Sequence, residues 1–149
     1  MYAPHSVTVY NAQENADTLA VEHNITILHG VFLDISKAAN VTNGGLINAD
    51  AAKLYIPLSV KAINGRTGKE QKYIEPKEYA EMADKSSYWT IRTSGTLSNK
   101  DCFFVKGEIV DDRDFEKINQ FHNDVFRVSS VSTRDFGDAD MRHLEVGGK

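Results

Sequence analysis

The sequence predicts a mainly β protein, a small antiparallel barrel or sandwich with one or two short helices. Two observations predict this class. Alternating β-branched and aromatic residues recur in six to eight short segments along the chain. Turn signals rich in glycine, asparagine and aspartate separate these segments, whereas regular helices do not, and this argues against a βαβ architecture.

Composition indicates an ordinary globular protein. The 149 residues suit a single domain, 1–149, with 41% hydrophobic and 26% charged residues. A net charge of −4 argues against broad nucleic-acid binding, but it does not exclude a small basic surface at one place on the protein. The single cysteine, Cys102, excludes an internal disulfide, and its apolar neighbours predict a core position in a reducing compartment.

We expect the whole chain to be the mature protein, made and used in the cytoplasm. No apolar run approaches the length that spans a bilayer, so we expect no membrane contact. The N-terminus lacks the basic start and apolar stretch of a secretory signal.

The first strands are predicted from strict alternation. Residues 6–10 alternate, and residues 22–35 form the longest strand-like segment. Gly30 divides this segment and predicts a bulge or bend, which would let one strand serve two sides of a curved sheet.

Residues 37–50 and 51–58 predict a turn followed by a strand. Asn43-Gly44-Gly45 indicates a tight turn, and whether it joins two short strands stays open. In the strand, Leu58 is expected on the apolar face, and Pro57, which lacks an amide donor, marks the strand's end or a sheet edge.

The second half of the chain is predicted to contain both helices and the remaining strands. The predicted elements are a helix at 76–83, a strand at 88–92, a turn at 94–100, a strand at 101–110 broken by Gly107, a helix at about 113–122 and a closing hairpin at 125–149 that turns at Gly137. Asp111 and Asp112 are expected to cap the second helix, with Phe115, Ile118 and Phe121 on one face.

Residues 59–72 are predicted to be a flexible basic loop. Its four cations oppose a single acid, Glu70, and are Lys61, Arg66, Lys69 and Lys72. Gly65 and Gly68 lie too close together for a nucleotide-binding loop, and Glu70 replaces the required hydroxyl. Two interpretations of this segment stay open: a connecting loop without a function, and a functional loop that contacts a partner.

No motif in the sequence indicates catalysis, a cofactor or a metal. The five histidines show neither H-E-x-x-H nor zinc spacing, and His23 and His29 are expected to lie too far apart for one metal. Helix capping explains the acids at 111, 112 and 114, and turn conformation explains those at 135, 138 and 140. The serines at 129, 130 and 132 lie on a strand without a nucleophile elbow. We therefore predict a protein that is not an enzyme.

Six segments follow one another along the chain, and they are SVTVYN, HGVFLDISKAANV, GGLINADAAKLYIPLSV, YIEPKEYAEM, WTIRTSGTLSNKDCFFVKGEI and DFGDADMRHLEVGGK. Their order, from about Val7 to Lys149, resembles small structural proteins of tailed bacteriophages that infect Gram-positive bacteria. Within that group the chain is similar to head-closure, or stopper, proteins of the neck.

That resemblance implies a β-barrel that forms a homo-oligomeric ring, dodecameric or hexameric, at the head–tail junction of the virion. The ring would lie beneath the portal and adaptor proteins, help to retain packaged DNA and dock the tail terminator or tail-completion protein. A loop from each subunit would project into the channel. Residues 59–72, with their four cations, are the first candidate for this loop, and residues 37–50 are the second.

The C-terminal hairpin is the candidate assembly surface, and the end at 147–149 is expected to be free to reach a neighbouring subunit. Its residues are Asp135, Phe136, Gly137, Arg142, His143 and Lys149. Two alternatives stay open. The first is a tail-completion, tail-terminator or minor capsid protein. The second belongs to another class and is either a small β-barrel module that binds a ligand or an enzyme whose site is unrecognised.

Overall fold

A computed structural model gives the structure of the chain and describes residues 3–14, 21–36, 39–42, 45–48, 51–93, 102–138 and 141–149. These residues form eleven strands and two short helices. The elements are β1 (His5–Glu14), β2 (Val21–Ser36), β3 (Ala39–Thr42), β4 (Gly45–Asn48), β5 (Ala51–Pro57), β6 (Lys61–Asn64), β7 (Glu70–Tyr73), α1 (Pro76–Glu81), β8 (Tyr88–Trp89), β9 (Cys102–Lys106), α2 (Phe115–Phe121), β10 (Val125–Arg134) and β11 (His143–Gly148).

Six strands close into an antiparallel barrel. Their order is β1-β9-β10-β11-β5-β2, and β2 pairs again with β1 to complete the ring. The predicted mainly β class is confirmed, and closure selects the barrel over the sandwich. Because closure pairs each of these strands on both sides, the barrel exposes few strand edges.

The predicted bulge at Gly30 lets β2 serve two sheet regions. His5 pairs with Val31 and Ser6 pairs with His29, so Gly30 is the extra residue, and its φ is +87°. Before the bulge, β2 pairs with β1 and β6; beyond it, β2 pairs with β5. A side chain at such a φ costs roughly 1–2 kcal/mol, which explains glycine at this position.

The barrel interior holds the main apolar core. The two residues that alternate on β1, Val7 and Val9, are fully buried there, and so is Cys102, which confirms its predicted core position. Trp89 and Ile91, from the segment after α1, belong to the same cluster. Each large apolar side chain buried in this way contributes roughly 1.5–3 kcal/mol of transfer free energy.

The helices are shorter than expected, and α2 has a different cap. Asp114, rather than Asp111 or Asp112, caps α2, because its carboxylate accepts a hydrogen bond from the Lys117 amide at 3.0 Å. Ile118 is buried on the outer wall of the barrel, whereas Phe121 is 59% exposed, so the expected apolar face stops before Phe121. Helix α1 begins at Pro76, as predicted, and ends at Glu81.

Strands β6, β7 and β8 extend the sheet outward from β2. The strand expected at 88–92 is reduced to Tyr88–Trp89 and pairs in parallel with β7. Buried polar side chains attach this extension to the barrel. Thr26 donates a hydrogen bond to Gln71 at 2.5 Å, and Gln71 donates one to the Ser86 carbonyl at 2.9 Å. Such bonds satisfy polar groups that burial removes from water.

Candidate functional surfaces

Strands β3 and β4 pair with each other as a separate two-stranded antiparallel ribbon. Ser36 pairs with Ala51 in the barrel, and three residues further along each strand Ala39 pairs with Asn48, so the ribbon keeps the register of β2 and β5. Thr42 pairs with Gly45, which leaves two residues to connect the strands. The open question about residues 37–50 is therefore answered: the turn joins two short strands, although Asn43 and Gly44 lie outside the described residues.

The ribbon pairs only with itself within the described part of the chain, since β3 and β4 make a separate two-stranded sheet. Each of its two strands is four residues long, which corresponds to roughly 13 Å at the rise of an extended strand.

The expectation of a flexible loop over residues 59–72 is wrong. Strands β6 and β7 occupy most of the segment, and only residues 65–69 form a turn. Asn64, which is 5% exposed, holds this turn: its carboxamide oxygen accepts from the Arg66 amide at 2.8 Å and from the Thr67 amide at 3.2 Å. The glycines of this segment therefore serve a hydrogen-bonded hairpin.

The four predicted DNA-facing cations are all exposed but do not form one cluster. Lys61 and Lys72 lie in the strands, and the register that pairs Ala62 with Gln71 places them opposite each other when it is continued by one residue. Arg66 and Lys69 lie in the turn, several residues away. The Arg66 guanidinium is also 3.7 Å from the Asp112 carboxylate, which offsets part of its charge.

Five of the six residues of the candidate assembly surface lie together around the turn between β10 and β11. Gly137 has a φ of +85°, as the predicted turn requires, and Phe136 is 69% exposed. The Arg142 guanidinium lies 3.5 Å from the Asp135 carboxylate, and His143 begins β11. The connection from Arg134 to His143 is longer than a tight two-residue hairpin turn.

Two exposed apolar side chains enlarge this surface beyond the sequence prediction. Met141 is 62% exposed, and Leu58 is 40% exposed. The Leu58 amide donates to the Arg142 carbonyl at 3.0 Å, which places Leu58 beside the turn. Leu58 was expected on a buried strand face, but β5 ends at Pro57, as that proline indicated. The surface therefore joins aromatic and aliphatic groups with an exposed ion pair.

The C-terminal end is not free, which corrects the sequence expectation. Gly147 and Gly148 pair with both β5 and β10. Lys149 exchanges two backbone hydrogen bonds with Arg127, at 2.9 and 3.0 Å. Lys149 thus lies at the opposite end of β11 from the turn, because each residue of a strand advances about 3.3 Å. It does not belong to the assembly surface.

Asp111 is the centre of a polar network between the barrel and α2. Its carboxylate accepts from the Arg113 Nε at 2.8 Å and lies 3.0 Å from the His122 Nε2, and its backbone carbonyl accepts from the Tyr10 hydroxyl at 2.6 Å. The Arg113 hydrogen bonds hold the pKa of the Asp111 carboxyl far below its usual value. These contacts tie α2 and its leading segment to the barrel.

The histidines are dispersed among separate contacts. Burial lowers the pKa of His23, which lies against Tyr10 and Phe103 with ring centroids 5.8 and 5.6 Å away. His29 instead faces Glu108, 2.9 Å away. Within the residues that the structure describes, no three His, Cys, Asp or Glu side chains are grouped to hold a metal ion. No helix in the same residues is long and apolar enough to cross a membrane.

These features define a small closed barrel with a separate two-stranded ribbon and an exposed apolar turn. The model of DUF6751, a family of unknown function, matches residues 2–149, and the chain belongs to that family. No curated protein and no solved structure matches the chain.

Proposed function

We propose that this protein is a non-enzymatic structural component of the neck of tailed-bacteriophage virions. Copies would form a ring at the head–tail junction, below the portal and adaptor proteins. The ring would close the head, help to retain packaged DNA and dock the tail terminator or tail-completion protein. Assembly would take place in the host cytoplasm. The order of segments along the chain supports this proposal, and the ribbon carries it.

The ribbon supports the proposal because, among the residues that the structure describes, its two strands pair with each other and with no strand of the barrel. A two-stranded hairpin is only marginally stable by itself, so a ribbon of this kind gains stability from a neighbouring surface. Residues 38–49 contain no charged side chain. In the proposed ring this ribbon replaces residues 59–72 as the channel segment, and it would obstruct the channel sterically.

The exposed turn supports contacts between subunits or with the tail. Phe136 and Met141 expose most of their apolar side chains, and the Asp135–Arg142 ion pair lies beside them. Apolar groups bordered by charges are typical of protein interfaces. A tail-completion, tail-terminator or minor capsid protein would use the same surfaces, and the order of neighbouring genes distinguishes these roles.

The proposal is tested by the mass of the protein in solution. Light scattering coupled to size-exclusion chromatography should detect a discrete oligomer of six or twelve chains as the concentration rises. The matched variant replaces residues 37–50 with Asn-Gly, a two-residue turn that suits the Ser36–Ala51 pair. This variant should keep the barrel and shift toward the monomer. A native protein that stays monomeric at every concentration would refute the ring.

A further inference from the structure

Four aromatic rings form a ladder across the outer wall of the barrel. The centroids of His5 and Phe32 are 5.7 Å apart, those of Phe32 and Tyr55 are 5.9 Å apart, and those of Tyr55 and His143 are 5.9 Å apart. Neighbouring rings are tilted by 50–55°. All four residues are partly exposed, although the His143 side chain is only 17% exposed. The ladder crosses four different strands.

A recess of about 190 Å³ adjoins the ladder at Tyr55. Gly147 lines the recess, and a Cβ there would lie 2.5 Å from the Ser130 hydroxyl and 3.2 Å from the Ser129 hydroxyl, so a side chain at this position would have to displace a serine. The remaining lining comes from β5, β10 and β11, which the barrel places side by side. Its polar and aromatic lining residues are Lys53, Tyr55, Ser130, Ser132 and Glu145.

The recess offers donors and acceptors together. His143 Nε2 lies 3.1 Å from one Glu145 oxygen, and Arg134 Nε lies 3.5 Å from the other. These partners lower the pKa of Glu145, which keeps its carboxylate ionised as an acceptor. Lys53 supplies a cationic donor, and the serine hydroxyls serve in both roles.

This chemistry fits a sugar better than a nucleic acid. A sugar ring presents a C–H face that packs on an aromatic ring and hydroxyls that need both donors and acceptors. The acids Glu145 and Asp34 balance the cations Lys53 and Arg134 here, since Asp34 lies opposite Lys53 in the strand register, so the face has no excess positive charge to hold a phosphate backbone. The mixed charge therefore favours a neutral ligand.

We propose that this face of the barrel binds a neutral oligosaccharide, with one sugar ring in the recess against Tyr55 and further rings along Phe32 and His5. The site requires a single subunit, so it is independent of the proposed ring. It lies on a wall whose inner face is occupied by core residues such as Leu54 and Leu144.

The experiment screens the purified native protein on a glycan array and then titrates the free form of the neutral oligosaccharide that gives the strongest signal. Tyr55→Ala removes the packing ring, and Gly147→Ala adds a methyl group to the lining and displaces a serine hydroxyl. Each should weaken binding by about tenfold. Phe121→Ala removes an exposed ring on α2, away from the recess, and should leave the affinity unchanged. Circular dichroism checks that every variant is folded.

Three results would overturn the assignment. The first is that no neutral glycan is retained. The second is that Tyr55→Ala and Gly147→Ala bind the selected glycan as tightly as the native protein. The third is that a single-stranded oligothymidylate binds with the same dependence on Tyr55, which would assign the face to a nucleic acid.

Discussion

Replacing Gly148 with alanine is expected to destabilise the barrel, whereas the same change at Gly147 is expected to be tolerated. Both glycines lie in β11, but they face opposite sides of the barrel wall. Gly148 is buried in the interior, and Gly147 faces the outer recess. Comparing the stabilities of the two alanine variants therefore tests whether the C-terminal strand is an integral part of the barrel.

The size of the effect follows from the neighbours of each added Cβ. At Gly148 the Cβ would lie 2.8 Å from both Phe104 and Phe126, two core rings that are themselves packed. Overpacking of this kind costs about 1–3 kcal/mol. At Gly147 the nearest atom is the Ser130 hydroxyl, which can rotate away, so we expect a loss below about 0.5 kcal/mol.

Thermal unfolding followed by circular dichroism provides the assay. For a chain of this size, 1 kcal/mol corresponds to a shift of roughly 2–4 °C in the unfolding midpoint. The midpoint of Gly148→Ala should therefore fall by roughly 2–12 °C, and that of Gly147→Ala by less than about 2 °C. Equal midpoints for Gly148→Ala and the native protein would show that β11 does not pack as described.

Three further outcomes test other parts of the structure. Gly30→Ala should lower the free energy of unfolding, measured in urea, by roughly 1–2 kcal/mol. Backbone strain alone causes this loss, since no atom lies within 4 Å of the added Cβ. An unchanged free energy of unfolding would contradict the bulge. The pKa of Asp111 in the folded protein lies below its unfolded value of 3.8. The ionised carboxylate therefore stabilises the fold above pH 3.8, and this stabilisation is lost as the pH falls toward the folded pKa. The native protein should thus have a higher free energy of unfolding than Asp111→Asn at about pH 5, and this difference should shrink below about pH 4. A difference that increases as the pH falls would refute the network. Because all four cations are exposed and the ribbon, not their hairpin, is the proposed channel segment, neutralising them should leave both the unfolding midpoint and the oligomer mass unchanged, and loss of the oligomer would contradict this placement. Those cations are Lys61, Arg66, Lys69 and Lys72.

The barrel could be predicted because its strands show local signals. Alternation is visible within each strand, and Gly30 marks the bulge that lets one strand bend between two partners. Pro57 marks the end of β5 for an equally local reason, the missing amide donor. Such features depend on residues that are neighbours in the chain.

Residues 59–72 were misjudged because the inner face of that hairpin is partly polar. Asn64 and Gln71 are buried, where a strand pattern calls for apolar residues. Their carboxamides bond with the Ser86 carbonyl, a partner that no local pattern identifies. Glycine and cations in the turn then suggested flexibility where a hydrogen-bonded hairpin forms.

The C-terminal glycines were misjudged for a tertiary reason. A Gly-Gly sequence near a chain end is typical of a flexible tail, but the absence of a side chain at Gly148 accommodates Phe104 and Phe126. The aromatic ladder was missed on similar grounds, because His5, Phe32, Tyr55 and His143 are far apart in sequence. Only the register of the closed barrel brings their rings together.

Electron microscopy of the purified native protein at the concentration at which it oligomerises tests the proposed ring most directly. We expect closed rings with six-fold or twelve-fold symmetry, in which the ribbons of residues 37–50 converge on the central opening. Isolated monomers, two-fold dimers or open filaments would contradict it, since none of these can encircle a channel.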